Sequence, residues 1–450
     1  MLNRAKNPIN NIMKNIKKYD KKNYLDLVNL PILKPDSKKI AVPKPFLKEL
    51  DKIGEQAISY MENVGEYKQF YESLPTKNKP PFINLTIGGV NRKTPPRNLF
   101  DDCSRGYITH LDKSHKIYVS KIFKKLGCDI EPDKVGIAPM RSKVALQHIF
   151  GLFKPGIVVA HKPNYKSTID AAVINYDHTA VEVDVRDRYL ALFKEVRNQA
   201  LIDKNKDKPI ILLLVCPHNP TAISMNDKEE TELHRLINDI PNLCIIHDIA
   251  YQGYHKFDRD AGKIYRDMGM PHKNQIFISI MSTSKSIYAS GQPAFWFSDK
   301  DTFPFLVDYY QRMATGPTST FVNDLPYYYQ TLDDDYMRSV ENNLQLPLIK
   351  FIENNKKRWG IDFWIKPDGP PFITLDINKK LHELEINENQ FRELTLKIGC
   401  PMLISGGCLR ISLTGFEKKE HKPMLKEIQN RLDFLFSLQK EDKLISAILV

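Results

Sequence analysis

Ile210-Ile211-Leu212-Leu213-Leu214-Val215-Cys216 runs directly into Pro217-His218-Asn219-Pro220-Thr221-Ala222. Seven apolar residues without polar alternation describe a strand buried on both faces, as found in parallel sheets covered by helices. Pro217 and Pro220 end the strand and turn the chain. Six further short apolar runs, at 134–138, 157–160, 180–185, 243–247, 276–280 and 294–297, share this character. Between them lie amphipathic helical stretches such as 142–153, 166–173 and 227–237. The expectation is an α/β fold whose large domain has three layers around a mainly parallel seven-stranded sheet. Ligands in such sheets bind beyond the carboxyl ends of the strands, so the polar residues there are the first candidates for a site.

After about Asp324 the pattern changes. Residues 325–355 read as mostly helical, with Pro326 tolerable in a first turn and Pro347 a kink or break. Short strands at 372–377 and 409–413 then mix with helices, which indicates a smaller α+β domain. The expected division is a basic arm and connector at 1–50, a large domain at 51–325 and a small domain at 326–450.

A composition of 42% hydrophobic, 27% charged and 10% aromatic residues supports a large core and excludes disorder as the general state. The longest apolar run, 210–216, is far below the ~18 residues of a spanning helix, so no membrane segment is expected. Six cysteines at irregular spacing without a CxxC pair argue against a disulfide scaffold and against a structural zinc site. A reducing, cytoplasmic compartment fits best, and no metal is expected.

The net charge of +12 is concentrated at one end. Residues 1–48 hold twelve Lys/Arg against three Asp, and the remaining chain has a net charge of only +3. Ile9, Ile12, Met13 and Ile16 stand at helical spacing among Lys14, Lys17 and Lys18. Such a basic amphipathic helix can touch a membrane, RNA or an import receptor, or can simply extend from the fold or pack on it. Transit peptides are richer in Arg and Ser than this stretch, which has one Arg and no Ser before Ser37.

Four strand ends carry polar groups in a fixed order. Asn219 follows the first strand, Asp248-Ile249-Ala250-Tyr251 the second, and Ser282-Thr283-Ser284-Lys285 the third. Arg410 lies in Cys408-Leu409-Arg410-Ile411-Ser412 far downstream. The spacings are 29 residues from Asn219 to Asp248, 37 on to Lys285 and 125 on to Arg410. Together, over roughly residues 80–440, these motifs resemble the fold-type I pyridoxal-phosphate enzymes, specifically the class I/II aminotransferases.

The resemblance implies pyridoxal 5′-phosphate as cofactor. Lys285 would form the Schiff base and then shuttle the proton. Asp248 would pair with the pyridinium nitrogen, and Asn219 and Tyr251 would hydrogen-bond the phenolic oxygen. Tyr165, in Lys162-Pro163-Asn164-Tyr165, would stack on the ring. Arg141, Ser142 and Lys143, at the loop-to-helix segment, and Ser282 would hold the phosphate. Tyr107 resembles the tyrosine that reaches the phosphate from the neighbouring subunit. Arg410 would bind the substrate carboxylate as a planar fork, with Gly88 and Asn219 beside the substrate. Arg92 stands in the N-terminal substrate loop, where it could face a polar side chain. His247 precedes Asp248 on the strand, should face the opposite side, and reads as structural. No second arginine stands at a position typical of dicarboxylate-specific members, although Arg312 lies nearby in sequence, and the tyrosines at 309–310 and 327–329 read as packing and interface residues.

Three positions depart from the pattern. Pro293, eight residues after Lys285, stands where most members carry a phosphate-binding arginine, and it offers neither a charge nor a backbone donor. Arg141 replaces the glycine that opens the phosphate helix, and so could supply the missing charge. Ala222 also stands where a glycine usually follows Asn-Pro-Thr.

The expected function is an aminotransferase, a homodimer moving nitrogen from an L-amino acid to a 2-oxo acid by a ping-pong route. The alternative is decarboxylation, cyclisation, elimination or oxidation of an amino acid on the same fold. A minor alternative is a non-catalytic protein of this fold that binds through its basic arm. The arm holds no nucleic-acid motif, and neither nucleic acid nor membrane is an expected partner.

Overall fold

The computed structural model describes residues 64–65, 67–73, 80–86, 113–164, 166–253, 270–286, 293–299, 301–313, 322, 324–332, 335–442 and 445. The chain divides into two units. One comprises Gly89–Arg338 with Ile365–Phe372, and the other the chain up to Gly88 with Ser339–Trp364 and Ile373–Val450. Within the first of these units, the helix Leu325–Thr331 packs on Lys113–Lys125. Lys125 Nζ donates to the Leu332 carbonyl at 2.9 Å, and the Tyr118 and Tyr329 rings meet at 6.4 Å.

The larger unit is built on strands β1 (Val135–Ala138), β2 (Ile157–Lys162), β3 (Thr179–Asp184), β4 (Ile210–Val215), β5 (Leu243–Asp248), β6 (Ile276–Met281) and β7 (Ala294–Ser298). Their order across the sheet is β1-β7-β6-β5-β4-β2-β3. The pairs β2–β3, β2–β4, β4–β5 and β5–β6 are parallel, and β7 runs antiparallel to both β6 and β1. All seven expected strands are present with boundaries shifted by one or two residues.

Helices cover both faces. On one face, Ala145, Leu146, Ile149 and Phe150 of α2 (Ser142–Phe150) pack against Ile246, Ile278, Ile280 and Trp296. Ile169 and Ala172 of α3 (Lys166–Tyr176) and Leu306 and Tyr310 of α6 (Thr302–Met313) join that core. Strand alternation turns Phe295 and Phe297 to the other face, where Phe123 of α1 (Lys113–Lys125) meets them at 6.0 and 5.6 Å. Each such buried ring contributes about 1.5–3 kcal/mol.

Two more helices follow β3 and β4. In α4 (Arg188–Leu201), Tyr189, Leu192, Phe193 and Val196 form one buried stripe at helical spacing. The start of α5 (Asp227–Asp239) is a capping box: the Asn226 side chain accepts from Glu229 N–H at 3.0 Å, and Glu229 accepts from Asn226 N–H at 2.8 Å.

The smaller unit carries a four-stranded sheet in the order β10 (Leu403–Ser405), β11 (Cys408–Ser412), β9 (Phe372–Asp376), β8 (Asp362–Ile365). Gly406 and Gly407, both at positive φ, make the two-residue turn between β10 and β11. Helices α7 (Leu346–Trp359), α8 (Glu388–Lys397) and α9 (His421–Phe436) complete it, with Trp359 packed on Phe351 and Phe436. Pro347 sits in the first turn of α7, directly after a π-helical turn at Glu341–Gln345, so the expected break takes that form.

Residues 80–86 fold with this smaller unit. Ile83 N–H donates to Gly399 O at 2.8 Å, Leu85 N–H to Pro401 O at 3.1 Å, and Ser412 N–H to Leu85 O at 3.0 Å. The fully buried Arg431 donates to Glu427 at 2.7 Å and to the Pro81 carbonyl at 2.5 Å. No helix among the described residues is long and apolar enough to cross a membrane.

Candidate active site

Three adjacent strands deliver the polar groups of the larger unit to one edge of the sheet. Val215, at the end of β4, is in register with Asp248, at the end of β5, and Asp248 in turn with Ile280 of β6. Two residues after Ile280, Ser282 opens the helical turn that carries Lys285. Asn219 stands in the turn that follows β4, half-buried.

Asp248 is shaped by its surroundings. Its Oδ1 accepts from Ala250 N–H at 2.9 Å, which bends the chain after β5 toward the buried Tyr251. Burial pushes the carboxyl up to about 6, while the Ala250 bond and the nearby Lys285 charge pull it back. A carboxyl so placed is short of positive charge, and Lys285 is near enough to supply some. His247 faces the opposite side of the sheet, beside Ser279 and with its ring 6.1 Å from Phe277. Burial lowers it to about 3, so it is neutral and structural, as alternation along the strand implies.

The loop after β4 is held from behind. His218 N–H donates to Ile223 O at 2.9 Å, Ala222 N–H donates to His218 O at 2.7 Å, and His218 Nδ1 lies 2.8 Å from the Thr221 hydroxyl. Ala222 has φ 55, a left-handed conformation that glycine adopts without cost and that a side chain disfavours. The His218 ring meets His161 edge-on at 5.1 Å, and His161 meets Tyr189 at 5.0 Å. The Tyr189 hydroxyl donates to the Val215 carbonyl at 2.7 Å.

At the same edge of the sheet, just after β1, Arg141 is the N-cap residue of α2 and makes no side-chain cap. No acid lies in the first turn, so the first amides of α2 and the exposed Arg141 and Lys143 present positive charge around Ser142. Ser282 is buried with its hydroxyl 2.8 Å from that of Ser284. The buried Pro293 contributes backbone only: its carbonyl accepts from the Thr283 hydroxyl at 2.7 Å, and Ala294 N–H donates to the Met140 carbonyl at 2.9 Å.

In the smaller unit, Arg410 is buried on β11 and donates from one guanidinium nitrogen to the Thr86 carbonyl at 2.7 Å. Thr86 is fixed by Asn84, whose Oδ1 accepts from its N–H at 2.9 Å and its hydroxyl at 2.6 Å. Tyr107, Tyr165, Gly88, Arg92, the basic arm and the side chain of Arg312 lie outside the described residues. Thr283 escapes sequence reading because its hydroxyl binds a backbone carbonyl ten residues away, and Arg188 and Asp368 because their partners are far away in sequence.

The donor set fits pyridoxal 5′-phosphate. A half-buried carboxyl short of positive charge suits a pyridinium nitrogen, and a lysine beside it suits an aldehyde. An uncapped helix N-terminus with two cationic side chains suits a phosphate. No group of His, Cys, Asp or Glu among the described residues is arranged to hold a metal ion.

Residues 131–320 match the profile of the family described as Aminotransferase class I and II. No curated protein matches the chain. Among solved structures, substrate-bound BacF of Bacillus subtilis resembles it with a TM-score of 0.65 and 16% identity, over 88% of this chain and 99% of that one. N-Succinyldiaminopimelate aminotransferase from Mycobacterium tuberculosis gives 0.62 and 16%, over 84% and 97%. Aspartate aminotransferase from Thermotoga maritima gives 0.61 and 18%, over 83% and 96%. At these identities the structural likeness is one of fold. Over residues 131–320 the chain is thus similar to the class I and II aminotransferases, and over most of its length it shares the fold of the solved aminotransferases.

Proposed function

We propose that this protein is an aminotransferase that moves the amino group of an L-amino acid to a 2-oxo acid. The observation that carries the reading is the pair at the ends of β5 and β6, a carboxyl that burial pushes up to about 6 with the Lys285 charge beside it. When bound, pyridoxal 5′-phosphate supplies an aldehyde and a protonated ring that draws electrons from the substrate Cα.

The chain's own residues divide the remaining work. Asp248 would hold the ring nitrogen's positive charge, and Lys285 Nζ would hold the aldehyde and serve as the base that carries the proton from Cα. Asn219 and Tyr251 donate to the phenolic oxygen. Ser142, Lys143, Ser282 and the α2 amides hold the phosphate, with Arg141 replacing the charge that Pro293 does not supply. Arg410 binds the substrate carboxylate, and its bond to Thr86 O ties the fork to the segment that enters the loop at Gly88 and Arg92. Tyr165 stacks on the ring, and Tyr107 reaches the phosphate of a neighbouring subunit in a homodimer. The large domain at 51–325 and the small domain at 326–450 are read as the functional division. The reading places the protein in the cytoplasm, as its few, irregularly spaced cysteines suit.

The altered position at Pro293 favours a second reading, in which the same residues serve decarboxylation, elimination, cyclisation or oxidation. Incubating the cofactor-loaded protein with ¹⁵N-labelled amino acids separates the two. Transamination leaves labelled nitrogen on the recovered cofactor and releases one 2-oxo acid per cofactor. Cofactor recovered without label, with the amino acid otherwise consumed, selects the second reading.

A further inference from the structure

Residues 365–372 fold with the larger unit, far downstream of its last strand. Asp368 in this segment makes three bonds there. Its carboxylate accepts from Ser224 N–H at 2.9 Å and from the Arg188 guanidinium at 3.1 Å. Its own N–H donates to the Ala222 carbonyl at 3.0 Å.

Arg188 extends the network on the other side. It donates to the Ser224 carbonyl at 2.7 Å and through Nε to Glu229 at 3.1 Å. Glu229 is fully buried and also accepts from the Tyr189 N–H at 3.3 Å and the Asn226 N–H at 2.8 Å. The bonds therefore fall on residues 222–226, just beyond Asn219. Two residues in the network, Arg188 at φ 56 and Ala222 at φ 55, hold left-handed conformations that disfavour side chains. Such conformations persist where the surroundings over-determine them. At the end of the same segment, the Phe372 ring lies against Tyr251 at 5.1 Å and 76°.

We propose that Asp368 is a positioning residue. With Arg188 it fixes the loop that presents Asn219, while Phe372 seats Tyr251, so one segment sets both donors to the phenolic oxygen. The inference rests on the roles given to Asn219 and Tyr251 above. Neither Asp368 nor Arg188 donates to that oxygen itself; they act through the backbone of 222–224.

The test loads the full-length protein with pyridoxal 5′-phosphate and follows its visible absorption across pH. A donor to the phenolic oxygen stabilises its negative charge and lowers the proton affinity of the nitrogen conjugated with it. Asp368→Ala is expected to move the midpoint upward by about half a pH unit or more, with Asn219→Ala setting the scale. Asp368→Asn is expected to move it less, since an amide oxygen still accepts from Ser224 N–H. Arg197→Ala removes ion pairs to Glu232 at 2.8 Å and Asp239 at 2.5 Å between α4 and α5, and is expected to leave the midpoint in place. That control separates loss of positioning from loss of stability. Where Asp368→Ala does not fold, Asp368→Asn and Arg188→Lys decide by the same midpoint. A midpoint that stays fixed in the Asp368 and Arg188 variants while Asn219→Ala shifts it overturns the inference alone. A parent protein that forms no visible band with the cofactor overturns the site reading and the inference together.

Discussion

The hydroxyl of Thr283 donates to the carbonyl of Pro293 at 2.7 Å, and the N–H of the same Pro293–Ala294 peptide donates to the Met140 carbonyl at 2.9 Å. One peptide group thus joins the turn that carries Lys285 to the loop that opens α2. Position 293 serves here as a backbone bridge.

Thr283→Val keeps the shape and leaves a buried carbonyl without its donor. Urea unfolding should report a loss of about 1–3 kcal/mol, and Thr283→Ser should recover most of it. A valine variant as stable as the parent would show that the bridge contributes nothing.

With proline at position 293, the positive charge for the phosphate must come from the α2 side. Arg141→Ala is expected to weaken pyridoxal 5′-phosphate binding about tenfold, near 1.4 kcal/mol. Binding of pyridoxal, which lacks the phosphate, should not change. Apo-protein titration with both ligands checks this, and equal losses for both would refute the charge argument.

Asp248 gives a pH signature in the cofactor-free protein. Its folded value, about 6, lies above the ordinary carboxyl value of 3.8, so ionisation is harder in the fold. Its contribution is fully present below pH 3.8 and lost as pH rises through 6. Asp248→Asn is therefore expected to melt higher than the parent above pH 6, with the advantage vanishing toward pH 4. The same variant should lose cofactor affinity.

Three buried histidines act in the other direction. Burial lowers His161 to about 4, His247 to about 3 and His218 well below its ordinary value. Their stabilising contribution is complete above pH 6.5 and is lost as pH falls toward 4. Unfolding at pH 5 should take up more than one proton per molecule, and the denaturant midpoint should fall steadily from pH 7 to 5. A flat profile would mean that these rings are hydrated.

Much of the large sheet is legible in the sequence because its strands are short apolar runs ended by prolines or polar turns, as at Val215 and Pro217. Alternation also assigns His247 to the face opposite Asp248. The smaller sheet is harder to read: Asp362–Ile365 is partly exposed and Leu403–Ser405 has three residues, too little for periodicity to register. Helix α4 is missing from the sequence reading although Tyr189, Leu192, Phe193 and Val196 carry its stripe. In the candidate site, Asp248, Lys285 and Asn219 stand out through the resemblance, because each lies in a short local motif at or just after a strand end. Asp368 cannot, because its partners Arg188 and Ser224 lie 180 and 144 residues away and only the folded chain joins them.

The most direct measurement reduces the pyridoxal-phosphate-loaded protein with borohydride, digests it and finds by mass spectrometry which lysine carries the cofactor. The account expects one stoichiometric adduct on Lys285, absent from Lys285→Ala. A cofactor mass on another lysine, or none on the folded parent, would contradict it.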